Sequence, residues 1–339
     1  MRFLSVTHHR PSQGWAAPLR LPSVARHHPP KEWAAPMTTL HIDRVSRWFG
    51  NVVAVNDISM TIGPGVTGLL GPNGAGKSTL INMMGGFLAP SNGSVTLDGT
   101  TIWRNAGIYR HIGIVPEREA MYDFLTGREF VLANAELHGL GRKEAARALA
   151  TVEMEYAQDR KISTYSKGMR QRVKMASALV HDPSVLLLDE PFNGMDPRQR
   201  MQLMELLRRM GDEGRTVLFS SHILEEVEQL AAHIEVVVAG RHAASGDFRK
   251  IRRLMTDRPH RYLVRSDNDR ALAGALIADP STAGIEVDLT EGALRIQAID
   301  FGRFTELLPR VARDHGIRLL TVSPSDESLE SVFSYLVAA

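Results

Sequence analysis

Three glycines, a lysine and two hydroxyls are packed into Gly71-Pro72-Asn73-Gly74-Ala75-Gly76-Lys77-Ser78-Thr79. The spacing is that of a phosphate-binding loop, G-x-x-x-x-G-K-[ST]. Glycine lets backbone N–H groups turn inward around phosphate oxygens, where a Cβ would obstruct the approach. A helix opening just after the loop points its positive end at the same oxygens. Lys77 is expected to reach the β- and γ-phosphates, and the Ser78 hydroxyl to ligate Mg²⁺. A second chemical group stands at Asp189-Glu190, which closes the apolar run Val185-Leu186-Leu187-Leu188 and precedes Pro191. Asp189 can hold Mg²⁺ directly or through water, and Glu190 can polarise a water against the γ-phosphate. A third is His222, at the end of the buried run Thr216 to Ser220, where it is expected to contact the γ-phosphate.

These groups need elements that bring them to one edge. Val66 to Leu70 reads as a buried strand and Leu80 to Leu88 as a helix, the context a phosphate loop requires. An apolar run ending in acids reads as a central parallel strand that delivers them to its C-terminal edge. Leu40 to Phe49 alternates in polarity, Asp57 to Ile62 reads as a second strand, and Asn92-Gly93 and Asp98-Gly99 are hairpin-turn dipeptides around Ser94 to Leu97. A small antiparallel sheet is therefore expected beside the nucleotide core. His111 to Glu117 is a short strand ending at Pro116, followed by helical stretches at Gly127 to His138 and Arg142 to Tyr156. Tyr165-Ser166-Lys167-Gly168-Met169 then opens a helical run over Val173 to His181, where Ser166 reads most simply as an N-cap. Asn193 to Pro197 is a turn into a helix over Arg198 to Met210. Periodicity alone makes Phe49 a core or partly buried aromatic, although such a ring can also stack on a base.

In this order the stretches resemble the ATP-binding subunit of an ABC transporter, over about residues 38–245. The Ser166 element between the phosphate loop and Asp189-Glu190, with His222 downstream, makes the resemblance specific. It implies an α/β fold: a P-loop ATPase core with a mostly parallel sheet, an antiparallel β subdomain and a helical subdomain over about 118–182. It also implies roles. Phe49 stacks on adenine; residues Gly71 to Thr79 hold the phosphates of ATP; Ser166 and Gly168 bind the γ-phosphate of the opposite subunit; Glu190 activates water; Asp196 communicates across the dimer; and His222 senses the γ-phosphate. The implied catalytic groups are Glu190, His222 and Lys77, and Mg²⁺ falls to Ser78, Asp189 and Glu117. Two stretches depart from the family pattern, at Glu117 and in the signature Tyr165-Ser166-Lys167-Gly168-Met169. Glu117 stands where Gln is usual, which adds a charge and removes an amide donor, and Lys167 and Met169 replace Gly and Gln in the usual Leu-Ser-Gly-Gly-Gln.

The rest of the chain bounds the reading. At 339 residues there is room for a large domain and a smaller one. A formal net charge of +2 argues against a dedicated nucleic-acid binder. There are no cysteines, which excludes disulfide scaffolds and thiolate metal sites. No apolar run reaches the ~18 residues of a membrane span. Residues 1–37 are rich in Pro, Arg and His, and are expected to be either a disordered extension or a stretch upstream of a working start at Met37. Residues 246–339 read as β-α-β-β-α-β, a small α+β domain of ferredoxin-like order, with a last helix over Ser328 to Val337. The ending Ser328-Leu329-Glu330-Ser331-Val332-Phe333 resembles the tail of exporter-type ABC ATPases, including drug-resistance exporters. The partners then implied are a multi-span membrane permease, which holds the chain at the cytoplasmic face of the membrane, and a second ATPase subunit, in a homodimer or a pseudo-twofold heterodimer. Nucleic acid is not among them. A soluble ABC ATPase acting on ribosomes or DNA is the competing class.

Overall fold

The computed structural model describes residues 38–118, 121–247, 259–288 and 292–325. The expectations for residues 1–37 and for the helix over Ser328 to Val337 lie outside them. Strands β1 (Leu40–Phe49), β2 (Val52–Ile62), β4 (Asn92–Leu97) and β5 (Thr100–Thr101) form an antiparallel sheet in the order β2-β1-β4-β5. The turn between β4 and β5 has Asp98 and Gly99 both at positive φ, 44° and 79°, as a two-residue hairpin loop demands. Asn92-Gly93 is not a hairpin turn. Both residues lie in β4, and Gly93 (φ 79°) passes so close to β1 that a Cβ there would meet the Asp43 and Arg44 carbonyls within 2.5 Å. The dipeptide marks an irregularity in strand pairing, where the β1–β4 register shifts between Asp43 and Ser46.

The main sheet has six strands. They are β3 (Gly65–Leu70), β6 (Ile112–Val115), β7 (Val185–Leu188), β8 (Thr216–Ser221), β9 (His233–Val238) and β10 (Arg241–Gly246), in the order β10-β9-β3-β8-β7-β6. All neighbours pair in parallel except β9 and β10. Alternate residues of one strand feed two cores. Val185 and Leu187 join a cluster with α1 (Lys77–Met84) and the antiparallel sheet, while Leu186 and Leu188 join one with α5 (Pro197–Asp212) and α6 (Leu224–Leu230). With both faces covered, nothing selects polar residues along the strand, and its run is wholly apolar.

The helical arm consists of α2 (Gly127–Leu137), α3 (Arg142–Thr151) and α4 (Lys167–Leu179). A reciprocal Thr126–Glu129 capping box starts α2. The expected helix over Arg142 to Tyr156 stops at Thr151, because Glu153 takes a positive φ of 55° and a short 3₁₀ turn, Glu155–Ala157, follows. The helix expected from Leu80 begins earlier, at Lys77, and ends before Gly85-Gly86, where Gly86 is left-handed at φ 75°.

The last described segment runs β11 (His260–Ser266), α7 (Asp269–Leu276), β12 (Thr282–Asp288), β13 (Ala293–Ala298), α8 (Phe301–Asp314) and β14 (Leu319–Pro324). Its sheet is antiparallel throughout, in the order β12-β13-β11-β14, so each β-α-β connection skips one strand, as in a ferredoxin-like unit. Among the described residues, its hydrophobic cluster draws on positions between Tyr262 and Leu319.

Candidate active site

Residues 71–76 leave β3 and curl before α1. Ala75 N–H donates to the Pro72 carbonyl at 3.1 Å, and Leu80 N–H to the Gly76 carbonyl at 2.9 Å. Gly76 has φ 102°, and a Cβ there would stand 2.4 Å from the Ala54 carbonyl, so only glycine fits. The loop is held from outside by the β9–β10 turn: Gly240 N–H donates to the Ala75 carbonyl at 3.1 Å. Asn73 to Thr79 line a cleft of about 390 Å³, together with Glu117, Glu190, His222, Ala54 and Asn193. Lys77 lies back in it, donating to the Gly71 carbonyl at 2.8 Å and to the Pro72 carbonyl at 3.3 Å.

Glu190 is a second buried charged residue lining the cleft. Its Oε1 lies 3.9 Å from Lys77 Nζ and its Oε2 lies 2.8 Å from His222 Nδ1. Burial pushes the Glu190 carboxyl above its usual range, opposed by the His222 hydrogen bond and by the Lys77 charge. Burial likewise pushes the Lys77 ammonium down, opposed by Glu190, Asp189 and Glu117. At 3.9 Å the two charges offset only part of their desolvation. An anion in the cleft would add a closer opposite charge for Lys77 than Glu190 at 3.9 Å.

Asp189 sits one residue before Glu190, 4% exposed. It faces a neighbouring hollow of about 610 Å³, which shares Ser78, Thr79 and Glu117 with the cleft and is also lined by Phe49. Phe49 is half-exposed, with the Arg47 guanidinium carbon 4.7 Å from its ring centroid. Among the described residues no group of three or more His, Cys, Asp or Glu side chains converges on a metal site. Ser78 and Asp189 are two hard oxygen donors beside the phosphate loop. That suits Mg²⁺, which keeps waters and phosphate oxygens in its shell.

Ser166, Gly168 and Asp196 line neither hollow. They form a second surface where two helix N-termini meet. Ser166 Oγ caps α4 by accepting from Met169 N–H at 3.2 Å, and Asp196 Oδ1 caps α5 by accepting from Gln199 N–H at 2.9 Å. The two starts touch, since a Cβ on Gly168 would stand 2.0 Å from Gln199 Oε1. The N-cap reading of Ser166 describes its contact within this chain.

Other residues that shape the site carried no motif. Lys174, buried on α4, donates to the Pro116 carbonyl at 2.7 Å and also reaches the Glu117 and Arg118 carbonyls, tying the Glu117 loop to the helix that Ser166 starts. Ser220 bonds both acids of the 189–190 pair. Ser221 donates to buried Glu226 at 2.6 Å, and Glu226 pairs with Arg200 of α5 at 3.4 Å. The available signal was a polar residue inside an otherwise apolar buried run, as at Ser220.

The sequence profile of the family described as ABC transporter matches residues 55–193. The linearmycin resistance ATP-binding protein LnrL of Bacillus subtilis (strain 168) is 32% identical over 301 residues, covering 87% of this chain and 96% of the relative. The bacitracin transport ATP-binding protein BcrA of Enterococcus faecalis is 31% identical over 302 residues, covering 88% and 96%. A solved dimeric bacterial ABC transporter cassette superposes with a TM-score of 0.57 at 25% identity, covering 61% of this chain and 98% of that one. The match to LnrL takes in nearly all of that protein, and the phosphate loop, Glu190 and His222 line one cleft. The chain belongs to the family of ABC transporter ATP-binding proteins.

Proposed function

We propose that this chain hydrolyses MgATP between two ATPase subunits and thereby drives export through a separate membrane permease. The observation that carries the reading is the triangle of buried Lys77 and Glu190 with the half-exposed His222 inside the phosphate-loop cleft. The loop N–H groups and Lys77 would hold the β- and γ-phosphates, and Phe49 would take the adenine face. Glu190 would accept a proton from water as its oxygen attacks the γ-phosphorus and the bond to the bridging β–γ oxygen breaks, leaving ADP and phosphate. Burial raises the proton affinity of Glu190, which suits a base. His222 would orient Glu190 and contact the γ-phosphate. Ser78 and Asp189, with Glu117 nearby, would hold Mg²⁺, which neutralises charge on the phosphate oxygens when bound.

The Ser166–Asp196 surface supports the dimer. Two helix N-termini side by side offer N–H groups and positive dipole ends, while the cleft that would hold the γ-phosphate in the same chain is lined by other residues. A twofold, head-to-tail pair would place this surface over the partner's cleft. The permease side is supported by exposed aromatics ahead of α2. Tyr122 and Phe124 are 63% and 70% exposed, with ring centroids 5.7 Å apart, and Phe87 is 65% exposed. Exposed apolar clusters of this kind mark contact surfaces. No helix among the described residues is long and apolar enough to cross a membrane, so a permease would supply the membrane path. The relatives' names, linearmycin resistance and bacitracin transport, favour export of a compound of the linearmycin or bacitracin kind.

Glu190→Gln tests the reading. The variant should bind MgATP, sediment as a dimer in saturating MgATP, and hydrolyse roughly 10²- to 10⁴-fold more slowly. A monomer under those conditions, or wild-type turnover, would refute it.

A further inference from the structure

We propose that Ser220 is a positioning residue that sets the direction in which Glu190 leaves its strand, and so controls the rate of hydrolysis rather than the binding of ATP. This rests on the reading of Glu190 as the base that activates water. Ser220 lies on β8 and is fully buried. The β7–β8 ladder ends with Leu188 opposite Phe219, so Ser220 is the next register position, beside the acids. Its hydroxyl donates to Asp189 Oδ1 at 2.7 Å and accepts from Glu190 N–H at 2.9 Å. One side chain thus ties the carboxylate of the first acid to the backbone of the second.

That backbone is unusual. Glu190 has φ 50°, the left-handed region that an L-residue with a long side chain rarely enters. A strained conformation persists only where its surroundings over-determine it. Here the left-handed turn comes directly after the strand, and the Ser220 oxygen receives the N–H it presents. The same turn aims the carboxylate at His222 Nδ1 and Lys77 Nζ. Without the hydroxyl, a buried N–H and one Asp189 oxygen lose their partner together, and the turn is free to relax to ordinary backbone. The carboxylate would then swing from its position, while the phosphate loop and Lys77, on β3 and α1, stay in place. Alanine has no donor or acceptor here. Threonine keeps the hydroxyl, and valine has the shape of threonine without it.

The test uses the full chain, measuring kcat and KM for MgATP and, separately, affinity for a fluorescent ATP analogue. Ser220→Ala and Ser220→Val should lower kcat by roughly 10- to 100-fold, the scale of a misplaced catalytic group, with KM and nucleotide affinity within about twofold of wild type. Ser220→Thr should restore most of kcat. Because the residue acts through Glu190, Ser220→Val added to Glu190→Gln should lower kcat no further, whereas independent effects would multiply. Equal kcat for the Thr and Val variants, or multiplying effects in the double variant, would overturn the proposal. Their shared shape keeps this comparison valid even if Ser220→Ala fails to fold. Wild-type turnover in Glu190→Gln alone would instead overturn the reading of Glu190 as the base. An inactive Glu190→Gln beside a fully active Ser220→Val would remove only the role of Ser220.

Discussion

The six-stranded sheet and the C-terminal four-stranded sheet solve different problems. In the first, five strands run parallel with both faces covered, so the central strand interiors are apolar and the charged groups of the cleft stand at one edge. Lys77, Asp189, Glu190 and His222 gather there because β3, β7 and β8 all end there. In the second, neighbours alternate in direction and α7 and α8 cover one face, so buried and exposed residues alternate, as in β11 and β13. Its strand ends point both ways, so the strands share no common C-terminal edge. The parallel sheet concentrates chemistry at a cost in buried charge. The antiparallel sheet carries no such cost.

Two substitutions separate the regions most sharply. Phe304→Ala removes a fully buried ring that packs 4.6 Å from Tyr262. It should destabilise the C-terminal unit by about 3–5 kcal/mol and leave ATP affinity unchanged. Lys77→Ala should weaken ATP binding by roughly 10²- to 10³-fold, with little change in the unfolding of the C-terminal unit. Hydrogen exchange and calorimetry read both. Loss of ATP binding in Phe304→Ala would mean that the two sheets fold and act as one unit.

Acid should also act on the main unit first. At the junction of the arm and the main sheet, His181 stacks on His138 with centroids 3.9 Å apart, and its Nε2 lies 3.2 Å from the Ile112 carbonyl. Burial, then the His138 charge, lowers the His181 pKa from 6.5 to about 4, against the Ile112 hydrogen bond and Asp182, with His111 adding to the fall. The folded pKa lies below the unfolded one, so this contribution is complete above pH 6.5 and is lost as pH falls towards 4. Chemical denaturation across that window should show a loss of up to ~3 kcal/mol, reduced in His181→Asn. The same slope in both proteins would place the acid response elsewhere.

The smallest expected effect is at Glu117. It lines both hollows but sits on an exposed loop held through its backbone by Lys174. Glu117→Gln should weaken MgATP binding by about two- to fivefold, the scale of a solvent-exposed charge pair, and leave metal-free ATP binding alone. Equal affinities with and without Mg²⁺ in both proteins would show that the carboxylate does not act on the metal.

Much of this was legible in the order of residues, for local reasons. A phosphate loop needs glycine at fixed offsets because backbone must approach phosphate, and Gly76 shows the constraint directly in its φ and the Ala54 carbonyl beside it. An apolar run ending in acids, downstream of a phosphate loop, reads as a strand covered on both faces, and β7 matches its expected span. The C-terminal β-α-β-β-α-β order was also legible, and the described elements from β11 to β14 follow it. The strands β9 and β10 and helix α6 were not anticipated, nor was Glu235, buried on β9 between His233 and His242 at 3.1 and 2.6 Å. A short run such as His233–Val238 mixes charged and apolar residues and matches neither period cleanly. Asn92-Gly93 misled because the same dipeptide serves a hairpin turn or a strand irregularity, and only the neighbouring strand decides which.

The residue types and spacings by themselves determined which groups could bind phosphate, hold a cation or accept a proton, because those capacities belong to side chains and to glycine backbone. Tertiary structure alone decided which of them share a cleft. Lys77, Glu190 and His222 meet because three strands, far apart in sequence, end at one edge, and Ser166 and Asp196 lie elsewhere because their helices start on another surface. It also decided that Ser220 and Lys174, ordinary by type, hold the Glu190 turn and the Glu117 loop. A hydroxyl or an ammonium acquires that role only from what the fold brings within hydrogen-bond reach, and contacts between distant segments leave no periodic trace in the chain.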